Sequence, residues 1–173
     1  MTPRHLVLVG LPGAGKTTLG RMVADTLRAP FVDLDAVLVR RMGMPISRIF
    51  AEYGEGHFRQ AEQEAMLAAV AEPASVIAPG GGWVAHPGNL DAVRPQVFVI
   101  YLRTSVATAT RRAEEGDDRP LLSGETPEVR MSALLAEREA AYLRADAVVE
   151  NDRQGAEAAA AEVARCAWAG AGW

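Results

Sequence analysis

His5–Leu27, "HLVLVGLPGAGKTTLGRMVADTL", puts an apolar run, a glycine-rich turn and a helical pattern in direct succession. Its centre, "GLPGAGKT" (Gly10–Thr17), fits G-x-x-x-x-G-K-[ST] in the context that the motif requires, strand before and helix after. Gly10, Gly13 and Gly15 let the backbone approach phosphate oxygens and turn its N–H groups toward them. The helix N-terminus that follows favours anions. Lys16 supplies a point charge for the β- and γ-phosphates, and the Thr17 hydroxyl is placed as a Mg²⁺ ligand. Gly13, Ala14, Gly15, Lys16, Thr17 and Thr18 are the expected nucleotide contacts. A turn that is merely glycine-rich would have no reason to carry Lys and Thr in register. The chain is expected to bind a nucleoside triphosphate.

Working outward, further short apolar runs appear at 31–35, 75–79, 97–102 and 147–150, separated by helical patterns at 17–28, 35–42, 46–52, 55–71, 105–115, 127–143 and 153–167. Continuous apolar strands alternating with helices predict an α/β fold whose five-stranded parallel sheet is covered on both faces. The length of 173 residues suits one domain, taken as 1–173. Between 114 and 127, "EEGDDRPLLSGETP" gathers charge, glycine and proline, which predicts a surface loop.

The balance of 22 acidic to 18 basic residues, a net charge of −4, argues against a nonspecific nucleic-acid or membrane-surface role. A single cysteine, Cys166, excludes an intrachain disulfide and fits a reducing cytoplasm. The N-terminal apolar run is too short for a signal-peptide core or a membrane span. No N-K-x-D run is present to read guanine, so a compact kinase is favoured over a GTPase-like switch, with a catalytically silent nucleotide-binding module as the other alternative.

Other residues call for an acceptor. "FVDLD" (31–35) reads as a strand ending in two carboxylates two residues apart, which would point Asp33 and Asp35 to one face, although either acid is also a favoured helix cap. "IFAEYGEGHFRQAE" (49–62) places Arg59 and Glu62 at i, i+3 on a helix. "PGGGW" (79–83) follows the third strand, and "LLAEREAAYLR" (134–144) carries Arg138. In an open parallel sheet the ligand crevice lies beyond the carboxyl ends of the strands, so these segments are expected to meet the phosphate loop there. Taken singly, Arg59 with Glu62 also reads as a surface pair and Arg138 as part of a solvated charged run. Trp83 and Trp168 are expected to be packing residues.

In order and approximate spacing, "GLPGAGKTT", "DLD", "GEGHFRQAE", "GGG", "RPLL" and "ER…Y" resemble shikimate kinase from about Leu6 to Asp146. The resemblance implies a nucleoside-monophosphate-kinase-like fold with a substrate-binding region at about 33–62 and a lid at about 112–126. It implies ATP-dependent phosphorylation of the shikimate 3-hydroxyl in aromatic amino-acid biosynthesis, with Mg²⁺, by a cytoplasmic monomer that needs neither nucleic acid nor membrane. Arg112 would stack on adenine, and the lid residue Arg119 would close on the transferring phosphate.

The chemistry suits such an acceptor. A planar guanidinium meets a carboxylate in a fork, so Arg59 and Arg138 would clamp the acid end. Asp35 would orient the attacking hydroxyl and accept its proton, and Asp33 would hold Mg²⁺ through water. Gly80, Gly81 and Gly82 would let backbone N–H groups approach the acceptor. Gluconate, which also offers a carboxylate and hydroxyls, is the alternative acceptor. Where the family carries small residues after the triple glycine, this chain has Trp83 and Val84. In place of a proline in the adenine-side segment it has "ENDRQGAE" (150–157).

Overall fold

The structure is a computed structural model that describes residues 2–116 and 126–173. Among these, five strands, β1 (His5–Val9), β2 (Phe31–Asp33), β3 (Val76–Ala78), β4 (Val97–Arg103) and β5 (Ala147–Glu150), form one parallel sheet in the order β2-β3-β1-β4-β5. The helices are α1 (Lys16–Leu27), α2 (Leu34–Met42), α3 (Ile46–Val70), α4 (Asn89–Val93), α5 (Val106–Gly116), α6 (Pro127–Tyr142) and α7 (Ala156–Cys166). The expected α/β architecture is therefore present. The short α4 and the 3₁₀ turn at Trp83–Ala85 that precedes it were not expected.

Strand alternation explains why the apolar runs are continuous. Val7 and Val9 of β1, with Val97, Val99 and Tyr101 of β4, enter one core with Leu34, Leu38, Ile49, Phe58 and Met66 from α2 and α3. Leu6, Leu8, Phe98, Ile100 and Leu102 turn to the other face and pack on Leu19 and Val23 of α1 and on Ala159, Ala160 and Val163 of α7. Both faces are covered, so a half-polar strand pattern would have left buried polar groups. The alanines of α7 serve close packing, since α1 and α7 pack directly together over the sheet.

One expectation holds and one changes. The two helices expected at 46–52 and 55–71 are present as the two arms of α3, divided at Gly54, whose φ of 81° and ψ of 169° lie outside the helical region. Only glycine takes such a value without strain, so Gly54 marks the bend between the two expected segments. The second strand stops at Asp33 rather than running to Asp35. The Asp33 carboxylate accepts the Ala36 N–H at 3.1 Å, and this cap starts α2 at Leu34. Asp33 and Asp35 are thus a helix cap and a first-turn residue, not two positions on one strand face.

Candidate active site

β1 leads into the glycine-rich turn, where Ala14 N–H bonds the Leu11 carbonyl and Gly15, with φ 92° and ψ 17°, opens α1. That helix has neither a side-chain cap nor an acidic residue in its first turn. The dipole of α1 favours an anion at that end, with no side-chain cap or acid of the first turn to compete. Lys16 Nζ donates to the Gly10 and Leu11 carbonyls, each at 2.9 Å, so its ammonium lies across the mouth of its own loop. Thr17 and Thr18 are exposed in the first turn of α1. The Thr17 hydroxyl donates to Asp33 Oδ2 at 3.0 Å, which ties α1 to the end of β2.

Beyond β3 the three glycines each face a different functional side chain. A Cβ on Gly80 would lie 2.5 Å from Glu62 Oε1 and 3.3 Å from Asp35 Oδ1. One on Gly81 would lie 3.4 Å from Arg138 Nη1 and 3.3 Å from the Gly10 carbonyl oxygen, which adjoins the phosphate loop. One on Gly82 would lie 2.7 Å from Arg59 Nη2. The glycines thus keep the backbone close to four ionisable groups from α2, α3 and α6. Of the expected acceptor residues, Asp35, Arg59, Arg138 and Gly80–Gly82 all meet at this point, although Asp35 arrives from a helix.

Glu62 goes beyond the sequence expectation. It is fully buried, and its Oε2 accepts from Arg59 Nη1 at 2.8 Å while Arg59 itself is only 15% exposed. Burial pushes the Glu62 carboxyl up, against the downward pull of Arg59, and the neighbouring Asp35 charge pushes the same way as burial. The surface-pair reading of Arg59 and Glu62 is corrected accordingly. A signal was available: Phe58, Glu62, Ala65 and Met66 fall on one buried stripe of α3, and an acid at such a position needs a partner.

Tyr142, at the end of α6, donates its hydroxyl to the Gly81 carbonyl at 2.8 Å and stacks on Tyr101 with centroids 5.1 Å apart. Burial pushes its phenol up to about 12, so it remains a neutral donor. Trp83 is buried as expected, with Nε1 donating to Gln63 at 2.8 Å. Trp168 departs from the packing expectation, being 52% exposed in the turn after α7, whose Ala167 and Ala171 face the sheet in its place.

Arg112 projects from α5, the helix that lies against Gly13 of the glycine-rich turn; it is half-buried, and its Nη1 is a buried donor without a hydrogen-bond partner. Glu62 Oε1 and Arg138 Nε are likewise buried and unsatisfied. Buried polar atoms normally find partners; Glu62 and Arg138 face the triple glycine, and Thr104 Oγ1 and Thr110 Oγ1 are unsatisfied as well. Arg119 and most of the expected lid lie outside the described residues. Among the described residues no group of three His, Cys, Asp or Glu side chains is placed to hold a metal, and no helix is long and apolar enough to cross a membrane.

Comparison with known proteins bears on this arrangement. The family model described as shikimate kinase matches residues 12–167. A shikimate kinase of Moorella thermoacetica is 40% identical over 161 residues, covering 93% of this chain and 92% of that protein. One from Mycobacterium avium is 42% identical over 155 residues, covering 89% and 87%. The solved structure of shikimate kinase from Acinetobacter baumannii in complex with shikimate superposes with a TM-score of 0.90 at 32% identity, covering 97% of this chain and 94% of that one. A phosphate loop, an acid–arginine cluster on three glycines and this likeness along nearly the whole chain have one reading: the chain belongs to the shikimate kinase family.

Proposed function

We propose that the protein transfers the γ-phosphoryl group of ATP to the 3-hydroxyl of shikimate, and that the cleft between the glycine-rich turn and Gly80–Gly82 is where this happens. The observation that carries the assignment is the meeting of Asp35, Arg59 and Arg138 on the triple glycine, one carbonyl away from the phosphate loop. An acceptor with one carboxylate and several ring hydroxyls matches two guanidinium groups and one carboxylate.

Phosphoryl transfer depends mainly on positioning and on stabilising charge, so each residue has a modest task. The loop N–H groups and Lys16 hold the triphosphate, with Lys16 leaving the Gly10 and Leu11 carbonyls for phosphate oxygens. Arg59 and Arg138 fork the acceptor carboxylate, and Glu62 fixes the Arg59 plane through the 2.8 Å bond. Asp35 aligns the attacking hydroxyl and accepts its proton as the new P–O bond forms. Arg112 covers the adenine, and Arg119 belongs to the same proposal as the residue that closes on the transferring phosphate.

Mg²⁺ is a proposed cofactor, and the residues present fit it. Thr17 and Asp33 offer a hydroxyl and a carboxylate oxygen 3.0 Å apart beside the loop, the donor types that a hard cation takes while keeping much of its water. Mg²⁺ held there would offset negative charge on the triphosphate. A monomer working in the cytoplasm completes the proposal. Coupled ADP release with shikimate, gluconate and nucleoside monophosphates as acceptors tests it. Release with shikimate alone is expected, and release with gluconate but none with shikimate overturns it.

A further inference from the structure

The phosphate loop is tied to a residue 137 positions later in the chain. Asn151 follows β5, is 4% exposed, and donates from Nδ2 to the Ala14 carbonyl at 2.7 Å. Its own backbone is held in turn, since the Asn151 N–H bonds the Arg103 carbonyl at the end of β4 at 2.8 Å. The side chain therefore spans from the sheet to the loop. A Cβ on Gly15 would lie 3.1 Å from Asn151 Nδ2, a measure of how closely the amide is set against the turn.

The Ala14–Gly15 peptide is one that needs holding. A trans peptide carries its C=O and N–H on opposite edges, so fixing the Ala14 oxygen toward Asn151 turns the Gly15 N–H away from it, into the run of donors that opens α1. Gly15 accepts either sign of φ, so rotation of this peptide is cheap for the backbone alone. Rotation would present an oxygen where an N–H donor belongs, and an oxygen repels phosphate. Only a donor can hold a carbonyl, which is why an amide suits position 151 and an ionised carboxylate does not.

We infer that Asn151 is a positioning residue for the nucleotide, holding the Ala14–Gly15 peptide with its N–H available to the phosphates. The inference rests on the proposed phosphate site, and it extends to the next residue. Asp152 accepts the Ser105 N–H at 2.8 Å just before α5, the helix that carries Arg112. The turn after β5 thus grips the phosphate loop with one side chain and the start of the adenine-side helix with the next.

ADP titration of wild type, Asn151→Asp and Asn151→Ala tests this without involving any acceptor. At pH 8 the aspartate variant, nearly isosteric but without a donor, is expected to bind ADP about tenfold more weakly, while shikimate binding changes less than twofold. Burial beside the Ala14 carbonyl oxygen raises the carboxyl of the aspartate variant above its ordinary range, so lowering the pH to 5.5 restores part of an O–H donor and narrows its deficit relative to wild type, whereas that of Asn151→Ala does not narrow. Wild-type ADP affinity in the aspartate variant at pH 8 overturns the inference. So does an equal loss for ADP and shikimate in both variants. A wild-type protein that binds ADP but fails to phosphorylate shikimate refutes the proposed reaction and leaves this titration readable.

Discussion

Substituting Gly82 by Ala adds one methyl group at the point where the backbone is closest to Arg59. The backbone accepts the change, because Gly82 has φ −93° and ψ −10°, values open to any L-residue. The new Cβ would stand 2.7 Å from Nη2, 3.0 Å from Nη1 and 3.1 Å from Cζ of Arg59, short of a normal contact by about 0.8 Å at the closest atom. A free arginine would swing aside at little cost. Arg59 is not free to do so, since Nη1 is bonded to the fully buried Glu62, and a shift that relieves the clash strains that bond and leaves a buried carboxylate poorly paired. Misplacing the guanidinium forfeits roughly one charge-assisted hydrogen bond to the acceptor, about 1.5–3 kcal/mol, or about 10- to 100-fold in the shikimate KM. Initial-rate kinetics with each substrate varied in turn checks this. The KM for ATP should stay within about twofold, because the loop lies on the other side of Gly81. An unchanged shikimate KM in a folded Gly82→Ala protein would refute the placement of Arg59 at the acceptor carboxylate.

Asp35→Asn should lower kcat by about 100-fold or more with ADP affinity nearly unchanged, and a large loss of ADP binding would mean that Asp35 serves the donor instead. For Glu62 the sign follows from its raised pKa: the folded protein holds this proton more tightly than the unfolded chain. Its contribution is fully present below the ordinary 4.5 and is lost as pH rises through the raised value. Denaturant titrations at several pH values should therefore show wild type losing stability relative to Glu62→Gln as pH increases through that window, and a pH-independent difference would count against it. Tyr142→Phe should cost about 1 kcal/mol and raise the shikimate KM a few-fold by releasing the Gly81 carbonyl. In wild type the Tyr142 contribution, present below pH 10, should fade only toward about 12, which tyrosinate absorbance can follow.

The parts of the molecule legible in the sequence are those carried by local pattern. The runs around β1 and β4 read as buried strands because all but the first residue of one, His5, and the last of the other, Arg103, are apolar or aromatic, and the order G-x-x-x-x-G-K-T specifies a strand, a turn and a helix within a few residues. Harder to read was "FVDLD", whose two acids fit a strand of period two and a helix cap equally well; a single hydrogen bond from Ala36 N–H to Asp33 decides for the cap. Asp35 still enters the cleft, but along a helix axis rather than across a strand.

Motif order alone was enough to single out Arg59, Arg138 and the glycines as candidates, since each is a residue type suited to its task. Their arrangement was not in the order. Glu62 becomes a buried counter-charge only when α3 packs beside Gly80, and Tyr142 reaches Gly81 only because α6 closes over the same turn. Asn151 meets Ala14 because parallel pairing of β5 with β4, and of β4 with β1, brings their carboxyl ends together. Composition and period act over a handful of residues and determined the sheet, the phosphate loop and the kinds of side chain available. Burial, and the pairing that burial compels, depends on the whole packed chain, and it alone decided which of those side chains hold one another in place.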